Sequence, residues 1–284
     1  MTTVRLNGLY DPQFVVDGRQ QFAVGTLAPG MDPGGRDVTV LDARDLQATE
    51  NCSEAEFFAR HGFVLLSHVT AVDDWDEEGT IYRDEIDRVI RERLFPGRAV
   101  EIQQGPKVLR RGRDTAMPDY ADGVHSDGGL DLDDYVHNIA AFANHQAAQW
   151  WRNLYDRTNV AGLVWIDFWR TTNMSAPLEH MPLALCDPTS VDADDLIPVA
   201  MTGIAPEGRE SRHLSLRHRD GQRWYYYPRM TTDELLAFKL GEFWKTPAPV
   251  SNCFHSAFHH PAAPENVEMR QSCEHRVSVL VMAD

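Results

Sequence analysis

The sequence predicts a mainly β protein with flanking helices, folded as a double-stranded β-helix (jelly roll). Helix-period segments are concentrated before residue 157, and the rest of the chain is dominated by strand-like runs. Gly and Pro punctuate those runs, and no internal period suggests a solenoid or propeller. Helices first and β-rich sequence afterwards fit a jelly roll with helices packed on one side.

Residues 1–50 are rich in Gly, Pro and Asp, with short extended pieces at Gln21-Phe-Ala-Val-Gly and Val38-Thr-Val-Leu. They read as an arm lying on the body. Ser53-Glu-Ala-Glu carries a cap-like Ser and acidic first-turn residues, predicting a short helix to Arg60. Gly62-Phe-Val-Leu-Leu is a buried strand. Ile81, Ile86, Val89, Ile90 and Leu94 recur at helical spacing, predicting a helix over 77–94 that Phe95-Pro-Gly ends. Val100-Glu-Ile-Gln and Lys107-Val-Leu-Arg read as strands. A second helix over 136–156 packs through Ala140, Ala143, Ala147, Trp150, Trp151 and Leu154. Strand-like runs follow at 160–170, 183–185, 196–201, 213–218, 223–227, 250–258 and 272–282. Asp233–Leu240 reads as helix-like, with Lys239 as a surface charge. The expectation is one domain over 1–284, with the arm and helices in 1–98 and the jelly-roll core in 99–284.

The formal charge of −16 over 284 residues disfavours nucleic acid or an anionic membrane as partner. A small molecule in a locally basic pocket is the expected ligand. The four cysteines form no CxxC, which argues against structural zinc and a disulfide framework and suits a cytoplasmic location. The N-terminus has no apolar signal region. Oligomeric state is not legible.

The chemistry centres on Gly123-Val-His125-Ser-Asp127-Gly-Gly129. In an extended segment, side chains at i and i+2 point to one side, so His125 and Asp127 converge. With His255 as third ligand they form a 2-His-1-carboxylate face, the open arrangement of non-heme Fe(II) oxygenases. His259 and His260 are rivals for the third place. A second His-x-Asp, at His218 and Asp220, sits at Asp220-Gly221 between strand-like runs and reads as a hairpin turn.

Several segments then resemble one family. They are Phe168-Trp169-Arg170-Thr171, Met181-Pro-Leu-Ala-Leu-Cys-Asp187, Trp224-Tyr-Tyr-Tyr227-Pro-Arg-Met230, Cys253-Phe-His255-Ser-Ala-Phe258 and Arg270-Gln-Ser272-Cys-Glu274-His-Arg276. In this order they are similar to the Fe(II)/2-oxoglutarate-dependent oxygenases of the cephamycin hydroxylation protein and fungal gibberellin desaturase-like group. The resemblance implies Fe(II), 2-oxoglutarate as cosubstrate and O2. It implies hydroxylation, desaturation or cyclisation at an unactivated C–H of a small natural-product or amino-acid-derived substrate, releasing succinate and CO2. It also places an arginine on the last strand for the far carboxylate of 2-oxoglutarate. Arg270 with Ser272 and, six residues on, Arg276 with Ser278 both fit, and Glu274 between the arginines is a partner for one of them. Trp169, Arg170, Tyr225 and Tyr227 are candidate substrate contacts. The basic run through Arg110, Arg111 and Arg113 either attracts an anionic substrate or is a solvated turn. A carboxylate at 127 takes the coordination position a halide would need, which disfavours halogenation. The competing function is a metal-dependent hydrolase or isomerase on a cupin-like barrel, which would need no such arginine.

Overall fold

The computed structural model describes residues 1–77, 79–111, 120–249 and 251–283. In chain order the strands and helices are β1 (Thr2–Leu6), β2 (Gln20–Ala23), β3 (Arg36–Asp42), α1 (Ala43–Thr49), α2 (Glu54–His61), β4 (Phe63–Ser67) and α3 (Ile81–Val89). A π-helical turn, Ile90–Leu94, extends α3. They continue with β5 (Val100–Arg110), α4 (Leu132–Phe142), α5 (His145–Tyr155), β6 (Val160–Thr171), β7 (Leu183–Cys186), β8 (Leu196–Thr202) and β9 (Ser211–Leu216). The last are β10 (Trp224–Tyr226), β11 (Glu234–Trp244), β12 (His255–Ala257) and β13 (Ser272–Met282).

Two five-stranded sheets carry the core, ordered β1-β3-β10-β7-β12 and β4-β11-β6-β13-β5. A three-stranded sheet, β2-β8-β9, flanks them. The two large sheets meet through aromatic contacts. Phe63 of β4 lies 6.0 Å from Tyr225 of β10, and Phe238 of β11 lies 4.8 Å from His255 of β12, measured between ring centres. The largest apolar cluster draws on both sheets and on α2 and α3. This is the jelly-roll architecture expected from the sequence.

Helix α2 starts where the capping pattern places it. Ser53 caps the Glu56 amide, and the Glu56 carboxylate returns to the Ser53 amide. Gly62 ends the helix in the left-handed region at φ 71°. The strands expected after Gly62 and at 272–282 are present as β4 and β13, whereas other expectations need adjustment. The helix read over 136–156 is two helices, broken at Ala143, with Asn144 capping the second through the Ala147 amide. The helix-like reading of Asp233–Leu240 is wrong: β11 runs there, because tertiary pairing with β4 and β6 overrides local helical spacing. Lys239 is consequently buried, 2.9 Å from Glu242. The N-terminal arm does more than lie on the body, since β1 and β3 extend the first large sheet. Asp220-Gly221 forms a turn, but β9 and β10 on either side of it enter different sheets, so it closes no hairpin. Of the strand read over 250–258, β12 occupies 255–257 and Val250 lies outside the described residues.

An irregularity in β11 bears on the glycine-flanked loop. The register of β11 against β6 slips between Lys239 and Gly241. The Leu240 carbonyl accepts hydrogen bonds from Ser126 Oγ and Asn252 Nδ2, each at 3.0 Å. Gly128 lies so close that a Cβ there would sit 2.1 Å from that carbonyl oxygen. Asn252→Ala would leave buried acceptors unsatisfied, and we predict a loss of about 1–3 kcal/mol. Gly128→Ala should cost at least as much, since the contact is with backbone. Urea unfolding midpoints measure both.

Candidate metal and keto-acid site

The segment Gly123–Asp127 works as a short strand shared between sheets. His125 and His255 exchange backbone hydrogen bonds of 3.2 and 3.0 Å, and Ser126 exchanges 2.9 and 3.2 Å bonds with Leu214 of β9. The Val124 amide bonds the Asn7 carbonyl at 2.8 Å. The loop is therefore held from three sides before any side chain is considered.

The three predicted ligands are brought together. The ring centres of His125 and His255 are 4.5 Å apart, and His125 Nε2 lies 3.6 Å from Asp127 Oδ1. Each Nδ1 is within bonding distance of a main-chain carbonyl: His125 at 2.7 Å from Gly123 and His255 at 3.0 Å from Cys253. Donation to those carbonyls fixes both tautomers and leaves each Nε2 with a free lone pair, the arrangement metal-ligating imidazoles adopt. Burial foremost, with His125 adding to it, lowers the His255 pKa to about 4, so the ring is neutral at physiological pH. Burial would raise the Asp127 pKa, but Arg276 above all, then His125 and His255, hold it far below the usual carboxylate range. Arg276 Nη2 contacts Asp127 Oδ2 at 2.8 Å, leaving Oδ1 on the side of His125. Among the described residues no three such side chains are gathered as tightly as a finished metal shell. The fit is therefore one of donor type and direction: two imidazole Nε2 atoms and one carboxylate oxygen, the set that suits Fe(II).

His125 and His255 line a cavity of about 350 Å³, of which about 30 Å³ is open to the centre of a water-sized sphere. Its apolar wall includes Trp169, Leu183 and Phe238. Its charged wall is Arg110, Arg270, Arg276, Asp167 and Glu274. Both candidate arginines of the last strand region thus reach the cavity. Arg270 is 1% exposed, its carbon centre 4.1 Å from the Tyr120 ring and 5.5 Å from that of Trp169. Its Nη1 donates to the Met181 carbonyl at 2.6 Å, and its Nε has no partner among the described residues. Burial lowers its pKa to about 10, which still leaves it charged.

Other expected site residues fall elsewhere. Arg170 faces away from the cavity, because it alternates with Trp169 along β6; it packs on Trp75 and bonds the Thr232 carbonyl. Tyr225 and Tyr227 both pack on Phe63, and Tyr227 Oη donates to Gln47 at 2.7 Å, so both belong to the core rather than the substrate wall. Ser272 is buried with no hydroxyl partner among the described residues, and it does not line the cavity. His259 is exposed and His260 pairs with Tyr226 at 3.1 Å, which removes both rivals of His255. His218 and Asp220 also lie away from the cavity lining. Arg110 is neither solvated nor part of a turn; it is buried against Glu274. Arg113 lies outside the described residues.

Three contributors escape a reading of the sequence. Asp167, paired across the sheet with Arg276, is 2% exposed and lines the cavity. Burial above all pushes its carboxyl well above the usual range, with Glu274 and Asp127 adding to this against Arg276. Its signal is a lone charge inside the apolar run Leu163-Val-Trp-Ile-Asp-Phe-Trp169. His213 stands behind the loop, its pKa lowered by burial to about 4, and Asn252 ties the loop to β11.

The chain is 30% identical over 116 residues to aspirochlorine biosynthesis protein N of Aspergillus oryzae, covering 40% of this chain and 46% of that protein. It is 32% identical over 103 residues to the Fe(II)/2-oxoglutarate-dependent dioxygenase nvfI of Aspergillus novofumigatus, covering 36% of each. The chain thus matches less than half the length of each of these relatives. Across its whole length it superposes on a solved structure of the iron and alpha-ketoglutarate-dependent endoperoxidase NvfI, with a TM-score of 0.73 at 20% identity and 99% of that chain covered. A second structure of that enzyme gives 0.68 at 19% identity, covering 99% of this chain and 98% of the other. Among the described residues no helix is long and apolar enough to cross a membrane. The chain's fold is that of these endoperoxidase structures, and a family model described as "Oxidoreductase/YMDC permease-like domain" matches residues 25–280, so the chain belongs to that family.

Proposed function

We propose that the protein is a non-heme Fe(II)- and 2-oxoglutarate-dependent oxygenase acting on an unactivated C–H bond of a small natural-product-like molecule. One observation carries the reading: two imidazoles, each tied back through Nδ1, line a cavity with a carboxylate oxygen of Asp127 beside them, and the same cavity is lined by a buried arginine whose Nε has no partner among the described residues. His125, Asp127 and His255 would hold the iron. When bound, iron would couple the oxidant O2 to two electron donors, the keto acid, which leaves as succinate and CO2, and the substrate C–H bond.

The chain's own residues divide the remaining work. Arg276 holds Asp127 Oδ2, so Asp127 presents one oxygen and stays ionised. Arg270 receives the far carboxylate of 2-oxoglutarate; its Nε is free to donate and its plane is fixed against Tyr120. Trp169, Leu183 and Phe238 form the apolar wall that excludes water. The chain acts as one oxygenase unit over 1–284. Four cysteines without a disulfide among the described residues support a cytoplasmic setting.

Anaerobic addition of Fe(II) and then 2-oxoglutarate should produce a visible metal-to-ligand charge-transfer band; bound iron without the band would refute the assignment. Alanine at His125, Asp127 or His255 should weaken Co(II) binding by more than about a hundredfold, followed by the cobalt visible absorption. Arg270→Gln should raise the 2-oxoglutarate Kd about 10–100-fold and leave Co(II) affinity unchanged.

The buried histidines also fix a pH dependence. His255 and His213 have folded pKa values of about 4, below the ordinary 6.5. The unfolded chain therefore binds more protons between these limits. Stability of the metal-free protein is fully present above pH 6.5 and falls as pH drops toward 4. Urea midpoints across that range should decline, and less steeply in His213→Gln.

A further inference from the structure

The cavity already contains a carboxylate where an incoming one is expected. Glu274 bonds Arg110 through both oxygens: Oε1 takes the Nε hydrogen and Oε2 lies 3.2 Å from Nη2. Arg276 Nη2 lies 3.9 Å from Glu274 Oε2 and 2.8 Å from Asp127 Oδ2. The chain Arg110–Glu274–Arg276–Asp127 thus runs from one cavity wall to the metal-facing carboxylate. The charge of Glu274 also reaches Arg270.

The space of about 30 Å³ open to the centre of a water-sized sphere holds a few water molecules and no more. A five-carbon dicarboxylate enters only if lining side chains move. The strands beneath them do not give way, because β13 is laddered to β5 and β6 along its whole length. Among the side chains, Glu274 bears the same charge as the arriving dianion and sits among the guanidinium groups that attract it.

We propose that Glu274 is a built-in competitor of the keto acid: it neutralises the arginine cluster of the closed cavity, and a dicarboxylate binds only by pushing it aside. Glu274 then sets both the affinity for the cosubstrate and the preference between dianionic and monoanionic keto acids. This inference rests on the reading of the cavity as a 2-oxoglutarate site.

The test is calorimetric titration of 2-oxoglutarate, and separately pyruvate, into Zn(II)-loaded wild-type, Glu274→Gln and Arg110→Gln proteins. Glutamine keeps the shape and one acceptor but removes the charge. The Kd for 2-oxoglutarate should fall about tenfold in Glu274→Gln, with a smaller gain for pyruvate. Arg110→Gln should act the other way, because Glu274 loses its anchor and turns its charge on Arg270 and Arg276. An unchanged or higher Kd in Glu274→Gln, with near-ultraviolet circular dichroism showing a native fold, would overturn the proposal and make the ion pair purely structural. Wild-type protein that binds zinc but no 2-oxoglutarate would instead overturn the site assignment itself, and this inference with it.

Discussion

The site depends on one backbone carbonyl. The slip in β11 turns Leu240 O toward the loop, where Ser126 Oγ and Asn252 Nδ2 both donate to it. A regular strand would spend that carbonyl on its neighbour. Gly128 is required because nothing larger fits beside the oxygen. This clamp sets the directions of the ligands. Ser126 is fixed, so its neighbours His125 and Asp127 both turn to the opposite side, toward β12. His255 meets them there because its backbone pairs with that of His125. Side chains from two segments distant in sequence are aligned mainly by main-chain bonds, which is how a site is held on rigid elements rather than on side-chain packing.

Electrostatics explain why a chain so acidic overall keeps three arginines in one buried cavity. A carboxylate behind a metal face must stay ionised although it is buried, and Arg276 secures this at 2.8 Å. Arg276 is itself half-buried and draws on more than one anion. Asp127, Asp167 and Glu274 surround it and outweigh its desolvation. Arg270 differs in kind. Its hydrogen-bonding partner is a carbonyl and its flat faces meet aromatic rings, so its charge has no bonded carboxylate within the described residues. That difference separates two arginines that the sequence presents as equivalents.

Much of the fold and site is readable in the residues, for identifiable reasons. The His-x-Asp loop is legible because i, i+2 geometry and flanking glycines are local properties. The strand spans 196–202 and 272–282 are close to expectation because alternation and β-branching mark buried strands. What fails is non-local. The segment Glu234–Trp244 carries helix-forming residues, yet two neighbouring strands claim it. Arg170 is ambiguous because face assignment along β6 depends on which side the second sheet covers. Tyr225 and Tyr227 satisfy the alternation rule for one shared face, but that face meets Phe63 instead of the metal loop. Asp167 is easily passed over, although a single acid within an apolar strand is a costly thing to bury without purpose.

Burial of charge also decides against the competing hydrolase chemistry. An imidazole–carboxylate face alone serves Lewis-acid hydrolysis as well as oxygen activation. What a hydrolase has no use for is a fully buried guanidinium, boxed by Tyr120 and Trp169, on the wall of the metal cavity with Nε unpartnered. Desolvating that cation costs free energy that aromatic stacking and one carbonyl only partly offset. A ligand carboxylate would return that cost on binding. The oxygenase reading therefore gains its force from Arg270 rather than from the metal face: paired imidazoles suit a metal of either chemistry, and only the oxygenase reading gives an arginine without a bonded carboxylate among the described residues a ligand to hold.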